Sequence, residues 1–328
     1  VEQIEAKRMA SSKRAAQAAY PLNVAPRGLV ILVKFADVAF TTEKAEMDSM
    51  LTAVNYTRNY SYTYRGMTYY VNSKGSARQY FQDASNGQYN PQFDVIGPVK
   101  LPHPSDYYGT DAGTGNDRYI VDFVTDACKG ADDLGVDFSQ YDNDQDGIID
   151  FVYIIYAGFG QADGGPSTTI WPHNWDLESA YYYDNCTYDR SERMFDGKYI
   201  NNYACSGEID GQTGERAGIG TIAHEFSHVI GLPDLYDIDY GQNHENEATP
   251  GAWHIMDGGS YNNDGKTPPN YTIYDKYFLG WKTPINPGAT AQNLSLIANG
   301  QSGYQGQFSG WCHLPVGMER GRFALVAH

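Results

Sequence analysis

Short apolar runs alternate along this chain with segments in which apolar positions recur at helical spacing. A continuous run of apolar and β-branched residues at Gly28 to Phe35 predicts a buried strand. Further strands are predicted near Phe93 to Val99 and at Phe151 to Tyr156. Helices are predicted over residues 41 to 54, 76 to 85, 117 to 131, 217 to 230 and 271 to 281.

Other stretches lack a clear period. Tyr56 to Tyr70 is rich in tyrosine and is predicted to be irregular, and residues 181 to 216 are predicted to be rich in loops. Residues 2 to 19 mix alanine with charged side chains and predict an exposed basic helix. The apolar run from Phe323 to His328 predicts a strand of a partial β-rich module.

The helix predicted at residues 217 to 230 contains the motif His-Glu-x-x-His. His224 and His228 are four positions apart, so they lie on one helix face and their imidazoles can bind one divalent metal ion. Glu225 points to the side of that face, where it can reach a water on the metal without binding the metal itself. The apolar neighbours predict that the helix is packed behind its histidines.

The residues after this motif extend it. Gly231 ends the predicted helix through a positive φ angle, and Pro233 keeps the chain from returning to a helix. Asp234 follows His228 by six residues and is favoured on spacing as the third metal ligand. Asp237 stays open as the alternative third ligand.

A methionine follows in a segment predicted to form a tight turn, Trp253 to Ser260. Taken alone, Met256 would be interpreted as a core residue. Its position after the extended metal motif instead favours a Met-turn, in which the thioether forms an apolar floor below the metal and is not a ligand.

An acidic segment, Asp142 to Asp150, predicts a second metal site with a structural role. Alternate carboxylates around a turn at Gly147 provide the hard oxygen ligands that Ca²⁺ prefers. The predicted ligands are Asp142, Asp144, Asp146, the carbonyl of Ile148, and Asp150. Position twelve is Tyr153 instead of glutamate, so this is not a complete EF-hand loop, and an acidic turn without metal stays open as the alternative.

The acidic composition argues against two classes of binding partner, nucleic acids and anionic membranes. The chain has 328 residues, with 23 Lys and Arg against 40 Asp and Glu, a net charge of −17. Such a chain is a poor ligand for nucleic acids and anionic membranes. No run approaches the ~20 apolar residues that a membrane span needs. No signal peptide is visible at Val1, so either the protein is cytosolic or this sequence starts after the processing of its leader.

The four cysteines do not form a Cys-x-x-Cys metal pair. Cys186 and Cys205 flank a loop-rich segment and are a candidate disulfide in an oxidising compartment, with two free thiols as the alternative. Cys128 lies within an apolar helical pattern and is predicted to be a small buried side chain.

Several segments together resemble the immune inhibitor A family of secreted bacterial metallopeptidases, which is close to the metzincins. The zinc motif and the Met-turn are the specific parts of this resemblance, which covers about residues 27 to 282. The matching stretches are Gly28 to Phe35, Tyr80 to Gly87, Asp142 to Asp150, Ala157 to Gln161, Ile170 to Trp175, Ile219 to Asp237, Trp253 to Ser260 and Lys276 to Trp281.

The resemblance implies an α/β, metzincin-like zinc peptidase. Residues 27 to 231 would form an upper subdomain with a twisted, mostly parallel sheet, and residues 232 to 282 a smaller lower one. Residues 283 to 328 would begin a β-rich C-terminal module, and residues 1 to 26 are a candidate pro-segment remnant.

The implied enzyme is a secreted or cell-surface endopeptidase that acts on proteins or peptides, as a monomer. Zn²⁺ would be catalytic, Ca²⁺ structural, and Glu225 the general base toward water on the zinc. Two rival hypotheses are a zinc hydrolase of a glycan amide and a latent or non-catalytic surface-binding protein.

Overall fold

The computed structural model describes residues 25–111, 116–162, 164–211, 213–237 and 249–282. The strands, in chain order, are β1 (Arg27–Lys34), β2 (Thr57–Tyr64), β3 (Met67–Lys74), β4 (Gln92–Lys100), β5 (Ile148–Ile149), β6 (Val152–Phe159), β7 (His173–Asp176), β8 (Met194–Phe195), β9 (Lys198–Ile200) and β10 (Asn202–Ile209). The α-helices of five or more residues are α1 (Lys44–Thr52), α2 (Ala77–Ala84), α3 (Ser105–Gly109), α4 (Ile120–Asp133), α5 (Leu177–Tyr181), α6 (Gly220–Val229) and α7 (Ile273–Phe278).

The central sheet has five strands in the order β4-β1-β6-β10-β7. Strand β1 pairs in parallel with β4 and β6, and β6 pairs in parallel with β10. Only the edge strand β7 runs antiparallel to its neighbour within this sheet. The prediction of a mixed α/β fold with a mostly parallel sheet is therefore confirmed, as are the strands predicted at Gly28 to Phe35, near Phe93 and at Phe151.

Helices cover both faces of this sheet, which explains why its strands are apolar on both sides. Val30 and Leu32 of β1 face one core, which also contains the apolar sides of α1, α2 and α6. Leu29 and Ile31 face the other core, which contains α4 and α5. The alternation along β1 thus places the candidate metal helix α6 on the first face of the sheet.

The tyrosine-rich stretch predicted to be irregular is instead a β-hairpin. Strands β2 and β3 pair in antiparallel register, with Tyr64 opposite Met67. The two residues between them, Arg65 and Gly66, have φ angles of 49° and 77°, which two-residue hairpin turns require. The prediction was wrong. Most of this hairpin is exposed, and the strand pair is marked by alternating tyrosines and the turn instead of by an apolar run.

The stretch from 181 to 216, predicted to be loop-rich, contains a central strand. Strand β10 lies between β6 and β7 and is buried over most of its length. Its sequence, Asn-Tyr-Ala-Cys-Ser-Gly-Glu-Ile, has one β-branched residue and four polar ones or glycines, which hid the strand from pattern analysis. Beside it, β5, β9 and β8 form a small separate sheet.

The candidate disulfide is not formed. Cys186 and Cys205 are both free thiols, so the alternative of two unpaired cysteines holds. Cys205 is buried on β10, where its Sγ lies 3.6 Å from Nδ1 of His173 on the neighbouring strand β7. Cys128 is fully buried in α4, which confirms its prediction as a small core side chain.

Two terminal predictions lie outside the described residues, namely the basic helix at residues 2 to 19 with most of the candidate pro-segment, and the β-rich segment at 283 to 328. Within the part of the chain that is described, none of the helices combines the length and apolar character needed to cross a bilayer.

Candidate metal centre

Helix α6 forms where the sequence predicts it and presents two histidines on one face. Its other side is buried in the first core through Ile222, Ala223 and Phe226. Gly231 has a φ angle of 102°, and its N–H donates to the His228 carbonyl at 2.9 Å, so the chain turns away here as predicted.

The beginning of α6 lies unusually close to the segment that follows the predicted Met-turn. A Cβ atom on Gly220 would lie 1.9 Å from the carbonyl oxygen of Ser260, and one on Gly218 would lie 2.1 Å from that of Gly265. No side chain fits at either position. Glycine therefore lets the helix dock directly on the backbone of residues 258 to 265.

Both histidines are oriented by backbone carbonyls. Nδ1 of His224 lies 2.8 Å from the carbonyl oxygen of Ile255, and Nδ1 of His228 lies 2.8 Å from that of Leu232. A carbonyl oxygen can only accept, so both Nδ1 atoms donate a proton. In the neutral rings the Nε2 atoms then carry free lone pairs, as metal-ligating histidines require.

Asp234 completes a convergent set of acceptors. Its Oδ1 lies 3.1 Å from Nε2 of His224 and 3.2 Å from Nε2 of His228. Within the described chain this buried oxygen accepts no hydrogen bond. Two atoms bound at about 2.0 Å to a tetrahedral zinc ion lie roughly 3.3 Å apart, so both of these distances fit zinc.

The electrostatics of this cluster also favour a cation. Burial lowers the pKa of His224, but the contact with Asp234 and the charge of Glu225 outweigh it and raise the pKa to about 9. Burial raises the pKa of Asp234, but the two imidazoles hold it far below its usual range. Without another cation the cluster would therefore hold a proton between these groups.

Glu225 lies close to both histidines. One ligand atom each of His224, Glu225 and His228 lies within 4.8 Å of the others. The side chain is buried, and this burial raises the pKa of its carboxyl group above the usual value. A buried carboxylate with a raised pKa, close to a metal position, is suited to accept a proton.

The turn that contains Met256 contacts both α6 and the segment that follows Asp234. Met256 is fully buried in the first core. Its carbonyl accepts from the N–H of Leu235, the residue after Asp234, at 2.8 Å, while the preceding carbonyl of Ile255 holds His224. His254, which the sequence did not single out, bonds Asp275 of α7 at 2.8 Å.

The acidic loop brings together three of its five predicted ligands. Carboxylate oxygens of Asp142, Asp144 and Asp146 lie within 4.8 Å of one another. Asp150 differs, because its Oδ2 accepts from the N–H and from Nδ2 of Asn143, at 2.6 and 2.8 Å. Burial raises the pKa of Asp150 to about 6. The N–H of Ile148 donates to Asp146 at 2.8 Å.

The buried member of this loop is only partly satisfied. Oδ2 of Asp142 accepts from Nζ of Lys198 at 2.6 Å and from the N–H of Gly147 at 3.1 Å. Its Oδ1 is buried and has no hydrogen-bond partner in the described residues. One free carboxylate oxygen beside two exposed carboxylates is compatible with a cation site of modest strength.

Comparison with known proteins points to one family. Residues 23–283 match the model described as immune inhibitor A peptidase M6, catalytic domain. An immune inhibitor A from Bacillus thuringiensis subsp. alesti is 31% identical over 277 residues, which is 76% of this chain and 39% of that protein. A pre-pro-metalloprotease PrtV from Vibrio cholerae is 28% identical over 224 residues, 62% of this chain and 23% of that protein.

A third relative, a putative secreted metallopeptidase from Arthroderma benhamiae, is 25% identical over 273 residues, 71% of this chain and 37% of its own length. The matched region thus spans at most 39% of the length of these three relatives.

Proposed function

Because this chain belongs to the immune inhibitor A family of metallopeptidases, we propose that it is a zinc-dependent endopeptidase that hydrolyses peptide bonds in proteins. The family membership predicted from the sequence is confirmed. The single observation that most supports the zinc assignment is the convergence of two imidazole nitrogens and one carboxylate oxygen at 3.1 and 3.2 Å.

His224, His228 and Asp234 are the proposed zinc ligands. Three protein ligands leave a fourth position free, which distinguishes catalytic zinc sites from closed structural ones. When bound, the ion supplies a Lewis acid that polarises the scissile carbonyl and lowers the pKa of a coordinated water toward ~7. Asp237 is the less favoured third ligand, because it is Asp234 that lies against both imidazoles.

Glu225 is the proposed general base. It takes the proton of the attacking water and later gives it to the leaving amine. Its buried position beside the two histidines keeps bulk water away, and its raised pKa brings its proton affinity closer to the working pH. The carbonyls of Ile255 and Leu232 keep both histidines with their Nε2 lone pairs toward the metal.

We also propose the division of the domain implied by the resemblance. Residues 27 to 231 form the upper part with the sheet and α6, and residues 232 to 282 form the lower part with the Met-turn. The substrate would lie between them, at the exposed end of the metal cluster. The sharp turn at Gly231 supports this boundary, since the chain changes direction there.

The acidic loop is a proposed calcium site with a structural role. Asp142, Asp144 and Asp146 are the supported ligands, whereas Asp150 and the Ile148 carbonyl would have to join on binding. A cation here would brace the loop that leads into β6. Secretion is also proposed, because one relative is named a secreted metallopeptidase.

The test compares wild type, Glu225→Ala and His224→Ala on a mixed-peptide library, with zinc measured in the same samples. We expect cleavage by wild type alone, with about one zinc in wild type and Glu225→Ala and none in His224→Ala. General acid–base catalysis contributes about 10²–10⁴ in rate, so Glu225→Ala should lose at least two orders of magnitude.

Two results would reject the proposal. Near-normal cleavage by Glu225→Ala would exclude Glu225 as the base, and a wild type without zinc would exclude the metal centre. If zinc-loaded wild type cleaved no peptide, a glycan-amide substrate and a variant lacking residues 1 to 26 would be assayed next. Activity in either assay would separate the non-peptide and latent alternatives.

A further inference from the structure

The three residues before Asp257 connect the parts of the metal cluster. The Ile255 carbonyl accepts from Nδ1 of His224, and the Met256 carbonyl accepts from the N–H of Leu235, next to Asp234. Two of the three proposed ligands are thus positioned by consecutive carbonyls of one turn. Whatever fixes this turn also fixes the direction in which His224 presents Nε2.

His254 is the residue that fixes the turn from inside. Its imidazole is buried, and its Nδ1 accepts the N–H of Met256 at 3.0 Å. An amide can only donate, so Nδ1 carries a lone pair and the proton is on Nε2. That Nε2 lies 2.8 Å from Oδ2 of Asp275. His254 therefore has the tautomer opposite to those of His224 and His228.

Asp275 is itself held rigidly. Its Oδ2 also accepts from the N–H of Thr272 at 2.8 Å and from Oγ1 of Thr272 at 2.7 Å, in the capping box that begins α7. The carboxylate is buried like its histidine partner, with side-chain exposures of 3% and 4%. The pair is thus a fixed link between α7 and the turn below the metal cluster.

We propose that His254 and Asp275 are positioning residues of the metal centre, which hold the Ile255 and Met256 carbonyls where they orient His224 and the segment of Asp234. The inference deepens the proposed function and rests on it, because the ligands it positions are those proposed for zinc. Neither residue touches the ligands directly, so they act on metal affinity through the backbone of the turn.

A merely structural role would affect stability alone, whereas a positioning role also affects zinc affinity. Outer-shell partners of metal ligands typically change metal affinity by 10–100-fold when removed. Since this pair acts through one further bond, we expect an effect at the lower end, about tenfold.

The matched variants are His254→Asn, Asp275→Asn and Thr272→Ala in the full chain. Asparagine at 254 can still accept the Met256 N–H but cannot reach Asp275. Thr272→Ala removes the threonine hydroxyl that caps α7 and bonds Asp275, yet leaves the imidazole–carboxylate contact. Zinc dissociation constants are measured by competition with a chelator, and melting temperatures on the same samples.

We expect His254→Asn and Asp275→Asn to weaken zinc binding about tenfold, and Thr272→Ala to lower the melting temperature with less than about a twofold change in zinc affinity. Equal zinc affinities in all three variants and wild type would overturn the inference while leaving the proposed function intact. Failure of wild type to bind zinc would instead overturn both.

A second measurement needs no variant and covers the case in which the variants do not fold. Spectra of the zinc-loaded wild type labelled with ¹⁵N-histidine report which ring nitrogen carries the proton. We expect His254 as the Nε2–H tautomer and both His224 and His228 as Nδ1–H tautomers. Observation of the Nδ1–H tautomer at His254 would contradict the inference directly.

Discussion

The two clusters of metal-ligating side chains differ in how far the protein already satisfies them. In the histidine cluster, three acceptors face one another at 3.1 and 3.2 Å, and the outer nitrogens of both rings are occupied by carbonyls. In the acidic loop, Lys198 and the loop's own N–H groups already bind several carboxylate oxygens. The first cluster thus leaves Oδ1 of Asp234 and both Nε2 atoms facing a common point, whereas Lys198 already neutralises part of the second.

Their construction differs in the same way. The histidine cluster is assembled from α6, the turn after Gly231 and the turn at residues 254 to 256, so its geometry depends on tertiary packing. The acidic loop lies within nine consecutive residues, and two of its three close carboxylates are exposed. A site fixed by packing can hold a metal in one geometry, while a local exposed loop must reorganise to bind one.

Replacing the third acceptor of the histidine cluster should have the largest effect. Asp234→Asn removes the charge but keeps the shape. Because Asp234 is a proposed ligand itself, we expect zinc affinity to fall by more than the ~10–100-fold that is typical when a partner of a metal ligand is lost. Asp237→Asn is the matched control, since it removes the same charge three residues away. Chelator competition on both proteins measures the difference.

The outcome decides between the two aspartates that the sequence left open. A large loss in Asp237→Asn with little change in Asp234→Asn would make Asp237 the ligand. Equal small losses in both would show that neither carboxylate binds the metal and that the contrast between the two clusters is wrong.

The binding of Ca²⁺ to the acidic loop should raise the stability of the folded protein, with a smaller effect than the loss of Asp234 has on zinc binding. A ligand present at 100 times its dissociation constant stabilises the folded state by about 2.7 kcal/mol. We expect a rise in melting temperature on adding Ca²⁺, and its loss in Asp142→Asn, because Oδ1 of Asp142 is the buried oxygen that needs a partner. Differential scanning calorimetry with and without calcium measures both.

Magnesium serves as the control in this experiment, since it prefers octahedral geometry with several waters and suits this loop less well. An equal rise with both ions, retained in Asp142→Asn, would assign the effect to general charge screening of an acidic protein.

Asp117 is a buried carboxylate outside both clusters, with its Oδ2 4.0 Å from Nδ1 of His173. Burial, with smaller contributions from Asp111 and Asp184, raises the pKa of Asp117 to about 8 against the single opposing N–H of Trp171. Below pH ~4 the Asp117 carboxyl group is protonated in both the folded and the unfolded protein. As the pH rises from ~4 toward 8, it ionises in the unfolded chain but stays protonated in the folded one, so the folded state loses stability. Stability should therefore fall over this range.

Asp117→Asn stays neutral and should flatten this pH dependence, with a gain in stability at pH 8 that exceeds the ~1.4 kcal/mol of one pKa unit. Urea denaturation at pH 5 and pH 8 measures it. Asp111→Asn, which removes an exposed neighbouring carboxylate, should change the slope little. Identical slopes in wild type and Asp117→Asn would show that Asp117 is ionised in the folded protein.

What the sequence could predict follows from how local each feature is. The strand at Gly28 and helix α6 have strong periods of their own, and the first two proposed ligands lie four residues apart on that helix. The hairpin β2–β3 had a signal that was available, since Tyr60, Tyr62 and Tyr64 alternate before Arg65–Gly66. Strand β10 had none, because its burial comes from its neighbours in the sheet.

The site shows the same limit. His224, Glu225 and His228 could be proposed from the spacing within one helix. Asp234 was also favoured on spacing, and the turn at Gly231 lets it lie against both imidazoles. His254 and Asp275 are 21 residues apart and meet only through the packing of α7 on the turn. The capping box between Thr272 and Asp275 is local in sequence, whereas the contact of Asp275 with His254 is not.

The smallest effect is expected from replacing Lys198, which binds Asp142 in the proposed calcium site. Its Nζ lies 2.6 Å from Oδ2 of Asp142, where the entering ion must compete with it. Two unit charges at 4 Å in water interact by about 1 kcal/mol, so Lys198→Met should tighten calcium binding about fivefold. Lys129→Met is the control, because Lys129 pairs with Glu192 at 3.2 Å instead. Isothermal titration of calcium into both variants measures the change, and an unchanged affinity in Lys198→Met would mean that the Oδ2 atom of Asp142 is not a calcium ligand.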